Sequence, residues 1–288
     1  MKRFAFAVTF ALLLCTSTWA QSPYSFRTVN YPGDTFTQLL GVNNSLNIAG
    51  YHNVNQNSGF TLRLPFNFTT ENYPNSMMTQ VIGINNGNTT DGFYVDNNSV
   101  THGFYDLGGV FTTVDYPGSV FNQLLGQNDM GQAAGYYSLS QDNSTPDFPY
   151  IYGEFGGVFQ VITIPGAVGG AQATGINNSQ QICGFYVDSQ GVNHGFLLNF
   201  GLFLTLDAPG STFTQALGLN NNGQVVGDYM DQGGKTHGFV WTSGGGFQTI
   251  DNPNGIGTTV VNGINDKGVL VGFYGTSPFN SGFVAFPQ

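Results

Sequence analysis

The chain has 288 residues, with six Lys or Arg against sixteen Asp or Glu, and charged residues make up 8% of it, well below the roughly 25% of typical domains. So few cations cannot form the clustered Lys/Arg surface that grips phosphate, which excludes nucleic acid and disfavours anionic membranes as partners. Solubility must rest on Asn, Gln, Ser and Thr, which implies a surface of neutral hydrogen-bonding groups.

Residues 1–20 read as a secretory signal. Lys2 and Arg3 form a positive start, Phe4 to Leu14 an apolar run, and Thr18-Trp-Ala20 a small-residue cleavage site before Gln21. That run is too short to span a bilayer, and no later stretch is longer. The mature chain, 21–288, is therefore expected to be exported, with no membrane insertion. Cleavage leaves four basic residues against sixteen acidic ones, a net charge of −12. It also removes Cys15, so Cys183 has no partner for a disulfide. Cys183 reads as a buried small hydrophobe rather than a nucleophile.

After a lone strand at Phe26-Arg-Thr-Val-Asn30, one pattern recurs six times. "GVNNSLNIAGYH" at Gly41 returns as "GINNGNTTDGFY", "GQNDMGQAAGYY", "GINNSQQICGFY", "GLNNNGQVVGDY" and "GINDKGVLVGFY". Aligned on Pro32, Pro74, Pro117, Pro165, Pro209 and Pro253, the copies are 42, 43, 48, 44 and 44 residues apart. A period in the forties with several strands per unit predicts propeller blades. Each unit resolves into four short strands, as in "TQALGLN", "QVVGDYM", "HGFVWT" and "FQTID". Asn and Gly supply the positive φ of tight turns, and each Pro ends the pairing. Asn43, Asn85, Asn128, Asn177, Asn220 and Asn265 recur in the turns. Phe26, Phe68, Phe111, Phe159, Phe203 and Phe247 open the fourth strands, and Gly50, Gly92, Gly135, Gly184, Gly227 and Gly272 lie in the second. All three sets are expected to be structural: Asn closing turns, Phe filling between blades, Gly permitting close approach of sheets.

These residues, with His102-Gly-Phe104, His194-Gly-Phe196 and His237-Gly-Phe239, resemble the HAF-type extracellular repeat family. That family is named for a His-Ala-Phe motif, and here Gly replaces Ala. The resemblance covers essentially the whole mature chain and lies in repetition. It implies exported bacterial proteins built as propellers, with no settled activity. The strand order is also similar to that of WD-repeat propellers, although their Trp-Asp and Gly-His dipeptides are absent. That analogy makes "TQALGLN" the innermost strand of a blade. The N-terminal strand should then complete the last blade and close a six-bladed, all-β ring of four-stranded antiparallel sheets, removing an open edge.

In this register the Pro-led loops share a face with the loops between second and third strands, and their variety makes it the default ligand face. Gln38, Gln80, Gln123, Gln172 and Gln215 begin the innermost strands, with Val260 at the sixth position. They either form a ring of amides at the channel mouth, suited to hydroxylated ligands, or satisfy the backbone of neighbouring blades. Tyr94, Tyr137, Tyr186, Tyr229 and Tyr274, with His52 at the same position, read as packing residues or as stacking platforms for sugars. Asp96 with His102, Asp188 with His194, and Asp231 with His237 invite a metal or acid–base reading. Each pair falls in a different blade, so a hydrogen bond bracing the loop is favoured and no metal is expected.

The repeat breaks in places. The 138–149 loop is the longest insertion and replaces the His-Gly-Phe element with Asp147-Phe-Pro-Tyr150, making Asp147 and Tyr150 candidate ligand contacts. The 275–281 loop departs as well. Glu71 stands where other fourth strands end in Val, Ile or Leu, and Asp228 where second strands carry an aromatic. Titratable groups are otherwise dispersed, and no nucleophile motif or phosphate loop is present. The reading is a monomeric, secreted, non-catalytic binding module for a glycan or an envelope protein, with an extracellular hydrolase or lyase at the channel mouth as the alternative. No cofactor is required; calcium in the Asp/Asn loops is left open.

Overall fold

A computed structural model describes residues 23–53, 55–141, 145–154, 157–276 and 278–288. The expected signal at 1–20 lies outside them. The described residues form 24 strands and no helix. Strand β1 (Tyr24–Val29) stands apart in the chain. Blade 1 is β2 (Thr37–Val42), β3 (Asn47–Asn53), β4 (Asn57–Arg63) and β5 (Asn67–Thr70); blade 2 is β6 (Met78–Ile84), β7 (Thr90–Val95), β8 (Thr101–Leu107) and β9 (Val110–Val114). Blade 3 is β10 (Phe121–Gln127), β11 (Ala133–Ser138), β12 (Phe148–Glu154) and β13 (Val158–Val161); blade 4 is β14 (Ala171–Ile176), β15 (Ile182–Val187), β16 (Asn193–Asn199) and β17 (Leu202–Leu206). Blade 5 is β18 (Phe213–Leu219), β19 (Val225–Met230), β20 (Thr236–Thr242) and β21 (Gly246–Ile250). Blade 6 is β22 (Thr259–Ile264), β23 (Leu270–Thr276), β24 (Phe279–Pro287) and β1.

The closure reading is borne out. β1 pairs antiparallel with β24 from Tyr24 opposite Pro287 to Val29 opposite Gly282. Innermost strands touch their neighbours all the way round, β22 meeting β2. Single parallel bridges, Phe36 to Asn280, Phe121 to Thr101 and Thr258 to Thr236, add ties between adjacent blades.

The core lies between the blades. Phe60, Phe104, Phe196, Phe239 and Phe283, one per third strand, are fully buried, and in blade 3 Tyr150 takes that slot. The fourth-strand phenylalanines pack against these clusters from the outside, as Phe68, Phe111 and Phe247 do.

The glycines divide the work differently from expectation. Each innermost strand is bulged at its own glycine, as between Leu39 and Gly41, and that glycine meets the next blade. A Cβ on Gly41 would lie 2.7 Å from the Ile82 carbonyl of blade 2. The second-strand glycine acts within its blade: a Cβ on Gly227 would strike the Gln215 carbonyl and the Phe239 ring.

The Asn turns do more than close hairpins. The Asn43 Oδ1 accepts the N–H groups of Ser45 and Asn47, both at 3.0 Å, holding its own turn. Its Nδ2 donates to the Asn85 carbonyl of blade 2 at 3.0 Å. The same bond runs from Asn85 to Asn128 (3.4 Å), Asn128 to Asn177 (3.2 Å), Asn177 to Asn220 (3.0 Å), Asn220 to Asn265 (2.9 Å) and Asn265 back to Asn43 (3.0 Å). The next residue in each turn builds a second closed ring. Backbone N–H groups of Asn44, Asn86, Asp129, Asn178, Asn221 and Asp266 each donate to the side-chain oxygen of the following blade at 2.8–3.0 Å. Asp129 and Asp266 thus have structural work, and their amide partners hold both carboxyls below the usual range against the opposing effect of burial.

Candidate functional site: a glutamine-rimmed channel mouth

Strand alternation sends every second residue of the innermost strands toward the ring axis. A cavity of about 400 Å³ results, lined at one end by Gln38, Gln80, Gln123, Gln172 and Gln215. The structure brings all five together. Deeper, apolar residues such as Leu40, Ile82 and Leu217 line the wall, and the Asn/Asp turns lie at the far end. The glutamines are half-buried and do not satisfy neighbouring blades' backbones. Gln38 Oε1 accepts from the Tyr51 hydroxyl at 2.9 Å, and Gln172 Nε2 donates to Asp147 Oδ2 at 2.7 Å. The side chains of Gln80, Gln123 and Gln215 have no hydrogen-bond partner among the described residues.

Aromatic residues reach this mouth, but one position earlier in the second strand than the tyrosines singled out above. Tyr51, Phe93 and Phe185 line the cavity and face Gln38, Gln80 and Gln172 in register. Tyr94 and Tyr137 instead point between blades and stack on Tyr73 and Tyr116, ring centroids 3.6 and 3.8 Å apart, as His52 does on Tyr31. Tyr186, Tyr229 and Tyr274 bond fourth-strand threonines through their hydroxyls. The packing reading holds for this set. At the aromatic position of blade 5 stands Asp228, opposite Gln215. It is buried, and loss of solvation pushes its carboxyl up to about 7.

Asp147 and Tyr150 part company. Asp147 sits beside Gln172 in a cleft of about 320 Å³ between blades 3 and 4, with Phe121 and Tyr136 in its wall. Burial raises its carboxyl above the ordinary value, against the bond from Gln172. Tyr150 is fully buried, in the slot of the third-strand phenylalanines, and packs edge-on against Phe159 at 5.0 Å. It is a core residue and lines neither the channel mouth nor the cleft that holds Asp147.

Two of the Asp–His pairs are hydrogen-bonded and brace their loops, His194 with Asp188 and His237 with Asp231, while His102 lies 3.7 Å from Asp96. His194 Nε2 lies 3.2 Å from Asp188, whose Oδ1 accepts the N–H groups of Gln190 and Val192. Each histidine also has a second carboxylate that the sequence reading missed. Asp115, Asp207 and Asp251 sit 2.6–2.9 Å from the Nδ1 of His102, His194 and His237. The signal was the acid two residues before Pro117, Pro209 and Pro253, where the other repeat prolines have Asn30, Asn72 and Thr163. Burial pulls His194 down, but Asp207 and Asp188 outweigh it and raise its pKa. Among the described residues no group of three His, Cys, Asp or Glu is placed to hold a metal. Cys183 is buried with its thiol pushed up to about 12 by burial, which suits packing.

Asp91 was also missed, although the aligned second strands carry Ala49, Ala134, Cys183, Val226 and Val271 there. Its Oδ1 accepts from Gln127 at 3.0 Å, while the buried Oδ2 has no partner. Burial chiefly, with Glu71 nearby, pushes it from 3.8 to about 7. A raised carboxyl ionises more readily in the unfolded chain, so its stability contribution is full below about pH 4 and falls away as pH rises to about 7. Asp91→Ala is therefore expected to raise the melting temperature by several degrees at pH 8 and hardly at pH 4. Thermal melts across this range check it; an equal gain at both pH values contradicts the charge argument.

These features define a six-bladed β-propeller with a neutral amide rim. No protein-family model matches the chain, nor does any curated protein. Among solved structures the chain is similar to AofleA from Arthrobotrys oligospora, at 13% identity over 91% of this chain and 86% of that one, TM-score 0.55. It is also similar to the fucose-recognising lectin of Aleuria aurantia, itself described as a six-bladed propeller, at 9% identity over 85% and 90%, TM-score 0.52. A third is XC5397 from Xanthomonas campestris, a gluconolactonase, at 11% identity over 93% and 89%, TM-score 0.57. At these identities the likeness is one of fold.

Proposed function

We propose that this chain is a secreted, monomeric, non-catalytic module of the HAF-repeat type that binds a neutral glycan at the glutamine-rimmed mouth. The observation that carries this is the set of side-chain amides at Gln80, Gln123 and Gln215, which have no hydrogen-bond partner among the described residues and border a cavity with Phe93 and Phe185. Free amides offer donors and acceptors to sugar hydroxyls without a charge to desolvate, and aromatic faces suit the apolar side of a ring. The titratable groups are largely occupied in bracing loops and turns. Propellers that recognise fucose add support. The gluconolactonase neighbour, with Asp228 beside Gln215, supports the alternative of an extracellular hydrolase or lyase at the same mouth.

The test is binding to an array of soluble polysaccharides and oligosaccharides in calcium-containing buffer, with products assayed for cleavage. One neutral glycan class is expected to bind, at least tenfold more weakly to the Gln80→Ala/Gln215→Ala double variant, with the sugar recovered intact. Silence across the array, or binding that ignores the double variant, overturns the reading. Cleaved product favours the enzyme.

A further inference from the structure

We infer that the junction of blades 1 and 2 holds a second ligand site, built for the ammonium group of an amino-hexose. The starting point is a local failure of the repeat. In five blades the second and third strands place an apolar pair side by side: Ile48 with Leu62, Ala133 with Tyr152, Ile182 with Leu198, Val225 with Trp241, Leu270 with Ala285. In blade 2 that pair is Thr90 with Asp106. Facing it from blade 1 is Glu71, where the other fourth strands end in Val29, Val114, Ile162, Leu206 and Ile250. Three substitutions far apart in sequence thus converge on one junction.

They line a cleft of about 660 Å³, within the range of small-molecule sites. Glu71 bonds the Thr90 hydroxyl. Asp106 is only 6% exposed; its Oδ1 accepts from the Gly109 N–H at 2.6 Å. Its Oδ2 has no hydrogen-bond partner among the described residues, in a side chain that lines the cleft. Asp91 lies behind on β7, where burial first and the charge of Glu71 in addition raise its carboxyl. Arg63, on β4, lines the outer cleft, is exposed and forms no ion pair among the described residues. Acids without an internal cation cost stability where apolar pairs would serve, and such local violations mark functional positions. A primary ammonium between Glu71 and Asp106 would gain charge-assisted hydrogen bonds to both. Asn67, Asn88 and Thr70 in the wall can meet sugar hydroxyls, and Phe111 gives an apolar face. This site is separate from the channel mouth and does not rest on glycan binding there.

Burial, eased by the Thr90 bond and reinforced by Asp106, pushes Glu71 up to about 7. A bound cation favours the ionised form, so binding should strengthen as pH rises toward 7. The ionised fraction of a group with that pKa changes roughly fifty-fold between pH 5 and pH 7.

The experiment is calorimetric titration of the purified protein with glucosamine and, as the uncharged counterpart, N-acetylglucosamine. Glucosamine is expected to bind at pH 7 and about tenfold or more weakly at pH 5, with no detectable binding of N-acetylglucosamine. Glu71→Gln should lower affinity at pH 7 at least tenfold and flatten the pH response; Asp106→Asn should weaken binding independently. Melting curves confirm that each variant folds, and Glu71→Val, the residue type of other blades, replaces any that does not. Both titrations are run in the Gln80→Ala/Gln215→Ala background as well, and the comparison of the two sugars is read there, so that neutral sugar held at the mouth is not counted at this site. Equal binding of both sugars, no binding of glucosamine at pH 7, or unchanged affinity in the acid variants overturns the proposal.

Discussion

Removing residues 21 to 31 is expected to lower the melting temperature by about 10 °C or more. β1 supplies the outer edge of blade 6, with Tyr24 and Val29 buried and Phe26 packed edge-on to Phe283 at 5.5 Å. Burying an apolar side chain of this size contributes about 1.5–3 kcal/mol. Three of them, with the ladder to β24, total on the order of 5 kcal/mol, and a chain of this size loses about 2–4 °C per kcal/mol. Val29→Asp should reproduce much of the loss, whereas Ser25→Ala, at an exposed position of the strand, should not. Scanning calorimetry decides it. A melting curve unmoved by the deletion would mean that the ring does not depend on this strand.

Asn220→Ala is expected to cost about 3 kcal/mol, since stranding buried donors or acceptors costs roughly 1–3 kcal/mol each. The substitution removes the acceptor for the N–H groups of Asn222 and Gln224 and the donor to the Asn265 carbonyl. Asn220→Asp separates the two roles: it keeps the acceptor for the turn but loses the donor to blade 6. An intermediate loss on chemical denaturation is expected for it. Wild-type behaviour of both variants would reduce the ring of amides to a surface feature.

The ring was legible because its information is redundant. Each unit repeats the same turn, glycine and aromatic, so the blades and the role of Phe26-Arg-Thr-Val-Asn30 could be read from one chain. The glutamine rim was legible too, because period-two alternation carries Gln38 and its counterparts to the axis together. What was illegible depended on parity or on distance. Tyr51, Phe93 and Phe185 sit one residue from the tyrosines that drew attention, and one residue in a strand changes the face. Tyr150 looked like a departure because its neighbours differ, yet it fills the repeat's own phenylalanine slot. The hydrogen bonds from the Asn43 side-chain amide to Asn85 and onward cross blade boundaries, so no single unit reveals them. Glu71 stood out in sequence, but its meaning depends on Thr90 and Asp106, which only the packing of blade 2 on blade 1 brings to it.

The pairing of β1 with β24 also orders events in time. Blades 1 to 5 form from strands adjacent in sequence, through short hairpins that close early. Blade 6 needs two segments from opposite ends of the described chain, the contact with the largest loop to close. It should therefore be the last blade completed, and until then β24 presents an open edge. At high concentration that edge can accept the first strand of another molecule as readily as its own. Strand exchange through β1 is accordingly the route by which this ring would form linked dimers.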